Sequence, residues 1–381
     1  FEFEDPASAP ALPQSALEVT GGSQVTIDTP QGFGGLLIGD GSNGNGRVLV
    51  SGEQTNVALT GDNFQLSVGQ FGAGQMAVTD EAIVTAGDGF HQIGNAAGSN
   101  GSVTVSGLGT RFDTPGSLTV ASGFFDDQGD DNPSNDFGVA GASTTGSLTV
   151  SNQASVDVGP LRLGGDPRSD GRVFVESGGN VSVGGLETGV EGTGELTIRS
   201  GSTLSSNGNF NVVANAAGST GSVLVTGSGS QLDFQCSIRI GNGFFDDLGD
   251  DDPSNDFGEA GTITTASVTV SNGASMRTSG DGTGVRVGSE RTVEGSTASL
   301  MVASGATLET PNLQARGPNG SITVADPGTE VTVSSTFGLP FPDFGPEGGF
   351  LRAARNDGEQ GEINVLNGAR VSVTSGEDAT G

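Results

Sequence analysis

The sequence predicts an all-β chain folded as a parallel β-helix, a solenoid of about twelve coils. Two observations carry that expectation. A short apolar-x-apolar unit recurs twelve times along the 381 residues. Around it, apolar and Ser/Thr residues alternate with period two, and no i, i+3, i+4 stripe persists long enough for a helix. Glycine (68 residues) closes most of the runs, supplying the positive φ that tight corners need.

The twelve units are Leu17-Glu18-Val19, Val48-Leu49-Val50, Met76-Ala77-Val78, Val103-Thr104-Val105, Leu148-Thr149-Val150, Val173-Phe174-Val175, Leu196-Thr197-Ile198, Val223-Leu224-Val225, Val268-Thr269-Val270, Leu300-Met301-Val302, Ile322-Thr323-Val324 and Ile363-Asn364-Val365. Their spacing lies mostly in the twenties, with expansions to 45, 45 and 41 residues. Within a period, two further short strands follow the first, as near Phe112 and at Leu118-Thr119-Val120 after Val103. Three strands and three corners per twenty-odd residues make one coil, which buries its inner face only by stacking on the next. At about 4.8 Å per coil the rod is expected to be on the order of 55 Å long. A twisted sandwich array would instead need longer strands joined by two-residue turns. The chain therefore divides into an N-terminal strand and Pro/Ala linker (1–15), the solenoid (16–375) and a short tail (376–381).

Charge narrows the partners. Forty-five acids oppose fourteen bases, all of them Arg, for a net charge of −31, and Lys, Tyr and Trp are absent. Such a surface repels phosphate backbones and anionic headgroups, so neither nucleic acid nor membrane insertion is expected, and cations are the favoured counterparts. No apolar run reaches the length of a membrane span. Phe1 opens the sequence without a basic-then-apolar leader, which suggests a mature or trimmed product.

The runs Gly101-Ser102-Val103-Thr104-Val105-Ser106-Gly107 and Gly221-Ser222-Val223-Leu224-Val225-Thr226-Gly227 are each followed by a Leu/Ile-x-Val/Ile-(Gly/Ala) strand. They resemble the repeats of bacterial autotransporter passengers and related exported surface proteins. The resemblance covers most of residues 16 to 375. It implies a right-handed parallel β-helix located extracellularly or on the surface of a Gram-negative-type cell. The strand ends lack the family's Tyr and Trp, and these residues are not expected to include a membrane-embedded barrel.

Two of the expansions are near-identical acidic insertions, 123–138 and 243–258, in which fourteen of sixteen positions match. Asp126, Asp127, Asp130, Asp131, Asn132, Asn135 and Asp136 crowd the first, and Asp246, Asp247, Asp250, Asp251, Asp252, Asn255 and Asp256 the second. Carboxylates at short spacing beside Asn and Ser oxygens, with Gly129 or Gly249 to turn the backbone, offer the hard-oxygen ligand set of Ca²⁺; Zn²⁺ and Cu²⁺ would want His or Cys. The spacing is not that of an EF-hand. Phe124, Phe125 and Phe137, with Phe244, Phe245 and Phe257, bracket the acids. They either fold back to anchor the loops or project into a partner subunit. The third insertion, 337–350, keeps aromatics such as Phe341 and Phe344 and loses the acids, as an apolar contact loop would. Phe1 and Phe3, in a strand-like alternation ahead of the linker, can cap the first coil or add to a neighbouring molecule.

Catalysis finds little support. The lone His91, in Gly89-Phe90-His91-Gln92-Ile93, reads as a satisfied strand histidine, and the lone Cys236 as a small strand-core residue. No nucleophile elbow is present, and the Arg residues are scattered singly. The expected function is that of a non-enzymatic structural subunit of a calcium-stabilised surface fibre, sheath or layer, forming a homo-oligomer or polymer through its ends and loops. The alternatives are a monomeric adhesin stalk engaging a surface polysaccharide or a neighbour-cell ligand, and a polysaccharide-active β-helix enzyme.

Overall fold

A computed structural model of the chain describes residues 15–28, 34–61, 64–123, 139, 141–242, 262–280, 284–289, 295–317, 319–334, 350–354 and 360–374. Every strand pairing among them is parallel, in a twelve-stranded sheet and a 21-stranded one. The chain winds as the right-handed parallel β-helix that parallel crossovers favour. Twelve coils open in order on Ser15–Thr20, Asn45–Ser51, Ala73–Thr79, Asn100–Ser106, Thr144–Ser151, Ser169–Val175, Thr193–Arg199, Thr220–Thr226, Thr265–Ser271, Thr297–Ala303, Gly320–Ala325 and Gly361–Leu366. These strands build the first sheet, each bonded to the next coil's strand in turn.

The twelve apolar units stack in register. Leu17 faces Val48, and the column continues through Met76, Val103, Leu148, Val173, Leu196, Val223, Val268, Leu300 and Ile322 to Ile363. Period-two alternation turns this column and its neighbour two residues on into the core, except in the end coils, where Leu17 and Val365 are exposed. In the second column Val50, Val78, Val105, Val150, Val175, Ile198, Val225, Val270, Val302 and Val324 are all fully buried. Each such burial stabilises by roughly 1.5–3 kcal/mol, which repays ordering a coil that has no core alone.

The larger sheet is two further ladders, one for the second strand of each coil and one for the third. In coils 5 and 6 the corner between them is straightened, and Ser155–Leu163 and Asn180–Thr188 run across both ladders as single strands. Corners between the first and second strands are held by stacked hydroxyls. The Gly22 N–H donates to Thr55 Oγ1 (3.0 Å), Gly178 to Ser202 Oγ (3.1 Å), Gly201 to Ser230 Oγ (3.1 Å) and Gly305 to Thr329 Oγ1 (3.0 Å). In each of these pairs a Ser or Thr of the later coil satisfies a turn N–H of the coil beneath it.

Candidate functional site

Both acidic segments fall in the chain between a coil's third strand and the next coil's first. The first follows Ser117–Val120 of coil 4 and the second Ile238–Ile240 of coil 8. Four coils separate the two roots, about 19 Å along the axis. The candidate ligands at 126–136 and 246–256 (Asp126 to Asp136, Asp246 to Asp256) lie outside the described residues. So do the aromatics Phe1, Phe3, Phe124, Phe125, Phe137, Phe244, Phe245, Phe257, Phe341 and Phe344. Phe350, at the end of the third insertion, opens a third-ladder strand, Phe350–Ala353, paired with Asn312–Ala315.

What the structure does show is how each root is built. Asn95-Ala96-Ala97-Gly98-Ser99 in coil 3 recurs as Asn215-Ala216-Ala217-Gly218-Ser219 in coil 7, one coil below each insertion. The Thr144 hydroxyl donates to the Ala96 carbonyl (3.0 Å) and Thr264 to Ala216 (3.3 Å), while the Val139 N–H donates to Ala97 (2.9 Å). The same shelf therefore receives the returning chain in both copies. Gly123 opens the first insertion at φ +68°, with the position of a Cβ only 2.8 Å from that of Asp166. The flanking coils are duplicated with the insertion at a 120-residue interval, as in Arg111-Phe112-Asp113 and Gln231-Leu232-Asp233, and the duplication extends down to this shelf, which the sequence comparison of the insertions did not include. The repeated Asn-Ala-Ala-Gly-Ser string was the signal available.

Charge is distributed unevenly. The described residues hold 20 acids against 12 Arg, a net −8, so −23 of the total −31 belongs to the remaining segments. Much of the charge on the rod wall is paired between neighbouring strands: Arg162 with Glu187 (2.8 Å), Arg172 with Glu195 (3.5 Å) and Arg277 with Glu309 (3.7 Å) join residues in register on adjacent coils. Glu187 also accepts from Asn215 Nδ2 (3.4 Å), whose Oδ1 accepts from Asn242 Nδ2 (3.0 Å). At the corner of coils 5 and 6, beyond the first root, burial and the charge of Asp166 push the Glu191 carboxyl above its ordinary range. Among the described residues no group of three or more His, Cys, Asp or Glu is placed to hold a metal ion.

His91 is buried in the third ladder. Its Nδ1 accepts from the Leu66 N–H (3.2 Å), so Nε2 carries the proton and donates to the Gly87 carbonyl (3.0 Å). Burial lowers its pKa, against the opposing Gly87 hydrogen bond and Asp88 charge. A neutral imidazole with both nitrogens used is the satisfied strand histidine expected from the sequence. Cys236 departs from expectation. It lies half-buried in the corner between Gln231–Phe234 and Ile238–Ile240, and its Sγ donates to Asn209 Oδ1 (3.0 Å). The physical reason is parity: Phe234 and Ile238 already fill the inward positions on either side.

The molecule is thus a repeat protein of the parallel β-solenoid class. No protein-family model matches the chain, and no curated protein matches it. Among solved structures it is similar to the TibC-catalysed hyper-glycosylated TibA55-350 fragment, with 16% identity and a TM-score of 0.25, over 94% of this chain and 100% of that one.

Proposed function

We propose that the chain is a non-enzymatic structural protein of the bacterial cell surface, a subunit that assembles with its own copies and is stabilised by Ca²⁺ bound in its two acidic segments. The observation that carries this reading is the partition of charge. The described residues carry a net −8, and −23 of the −31 belongs to the remaining segments, which include two near-identical acidic insertions rooted on the same shelf. Crowded carboxylates repel unless a cation bridges them, and among the residues present their oxygen ligand set fits Ca²⁺. The Gly-rich coils and their resemblance to exported surface repeats support the location. The sole histidine is committed to the backbone, which favours a structural role over acid–base chemistry.

The test is thermal unfolding of the full chain in millimolar Ca²⁺ and in EGTA, beside a variant in which the eleven Asp residues of the two segments are replaced by Asn. An ion present at 100 times its dissociation constant stabilises by about 2.7 kcal/mol. Ca²⁺ should raise the Tm of the parent and leave the variant where it was. An unchanged parent overturns the calcium reading.

A further inference from the structure

The outward face of the first sheet is close to neutral in a chain of charge −31. Its twelve strands carry only Arg47, Arg172 and Arg199 against Glu18, Asp170, Glu195 and Glu362, and seven of the strands bear no charge at all. Arg172 is paired with Asp170 (2.7 Å) and Glu195 (3.5 Å), and Arg199 with Glu176. Along the central outward column, side chains alternate from coil to coil: Thr149, Phe174, Thr197, Leu224, Thr269, Met301, Thr323. Leu224 (38%) and Met301 (42%) are exposed and Phe174 is half-buried. Around Leu224 and Met301 the floor is small: Ser222, Ser267 and Ser299 on one side, Thr226, Ser271 and Ala303 on the other.

We infer that this face is the seam along which two copies of the chain pack, with Phe174, Leu224 and Met301 of each seated over threonines of the other. The inference deepens the reading of the protein as a self-assembling subunit, by naming a lateral interface in place of the ends and loops. Like-charged copies repel over most of their surface, and this face is a place where the cost of approach is small. The alternation is self-complementary. A two-fold axis along the strands between coils 7 and 8 brings Leu224 opposite Thr197, Phe174 opposite Thr269, and Met301 opposite Thr149. Such an isologous contact is the commonest way for identical chains to pair. Ten coils overlap in that arrangement; at about 4.8 Å per coil and about 20 Å of strand width the contact spans roughly 950 Å² per copy. A stable interface of standard size needs about 800 Å² per partner. The relief of knobs a little under 10 Å apart over a flat floor suits sheet-on-sheet packing.

Sedimentation velocity in EGTA and enough salt to screen the acidic segments tests the seam. The parent should dimerise at micromolar concentration. Leu224→Glu with Met301→Glu should weaken association at least 100-fold while the melting temperature stays within a few degrees, and Leu108→Glu, on an exposed turn off the face, should associate like the parent. Thr269→Arg is a second, single-site probe with the same expected loss. A parent that stays monomeric to 100 µM, or a double variant that associates normally, overturns the seam. Assembly that needs Ca²⁺ and ignores these substitutions overturns the seam and leaves the calcium reading standing. Dimerisation in EGTA by a chain that is inert to Ca²⁺ does the reverse.

Discussion

His91 and Asn211, 120 residues apart, occupy the same place in coils 3 and 7 and act on the same backbone group. Each accepts a hydrogen bond from the N–H of a leucine one coil below: Leu66 to His91 Nδ1 (3.2 Å) and Leu186 to Asn211 Oδ1 (3.2 Å). The ladder residues in register with them, Leu118, Leu161 and Leu186, are apolar and fully buried. Between coils 2 and 3 the backbone ladder starts only at Ser67 and Gln92, so the imidazole stands in for a missing main-chain acceptor. One duplicated unit has thus kept an acceptor with two different side chains.

Replacing His91 by Leu, the residue that fills most of this column, removes the acceptor from a buried N–H. The expected cost is about 1–3 kcal/mol, the desolvation penalty of an unsatisfied donor. His91→Asn, which imitates coil 7, should cost less. Urea unfolding of both variants gives the comparison, and equal losses would show that volume, not the hydrogen bond, decides the site.

The pH dependence has two opposing parts. His91 has a pKa lowered in the folded state. Its contribution is therefore complete above the unfolded value of about 6.5 and is lost as pH falls through the window beneath it. Glu191 is shifted the other way, its pKa raised, so its contribution is present at low pH and is lost as pH rises through the folded value. His91→Asn should flatten the stability profile just below pH 6.5. Glu191→Gln should stabilise the protein at pH 7 and reduce the decline that begins above the ordinary carboxylate range, to which the raised pKa values of Asp40 and Asp233 also contribute. Stability measured by urea from pH 4 to 8 checks both signs.

A steric exchange between corner and strand makes a third prediction. Where the corner carries Ala, at Ala121 and Ala214, the facing strand carries Gly146 or Gly221, whose added Cβ would sit 2.4 or 2.5 Å from the corner nitrogen. Where strands carry Ala266 and Ala298, the corner is Gly241, and a Cβ there would meet that of Ala298 at 2.6 Å. Gly241→Ala should cost about 1–3 kcal/mol by overpacking. Adding Ala298→Gly should recover a good part of it, since Ala121 and Ala214 tolerate the same positive φ. A double-mutant cycle with no coupling would contradict the exchange.

Much of this architecture was legible in the sequence, because a solenoid's inward column repeats once per coil and the twelve apolar units are that column. Other features were hidden for definite reasons. The straightened corners of coils 5 and 6 still contain Gly159 and Gly184, a residue type that favours corners, although both lie within strands. Cys236 needed inward–outward parity across a corner, which two short strands do not announce. The neutral face is invisible to composition, since it emerges only when register assigns each Arg and Glu to a wall. The acidic segments were the reverse case: their residues were obvious, and the structure adds where they are rooted.

The chain is proposed to be a rod that assembles with its own copies and is held by Ca²⁺ in its acidic segments. Electron microscopy of the purified chain in 2 mM Ca²⁺ and after EGTA tests it most directly. Ordered filaments or sheets of rods are expected in Ca²⁺, breaking down in EGTA to separate rods and lateral pairs; single rods about 55 Å long in both conditions would overturn calcium-held assembly.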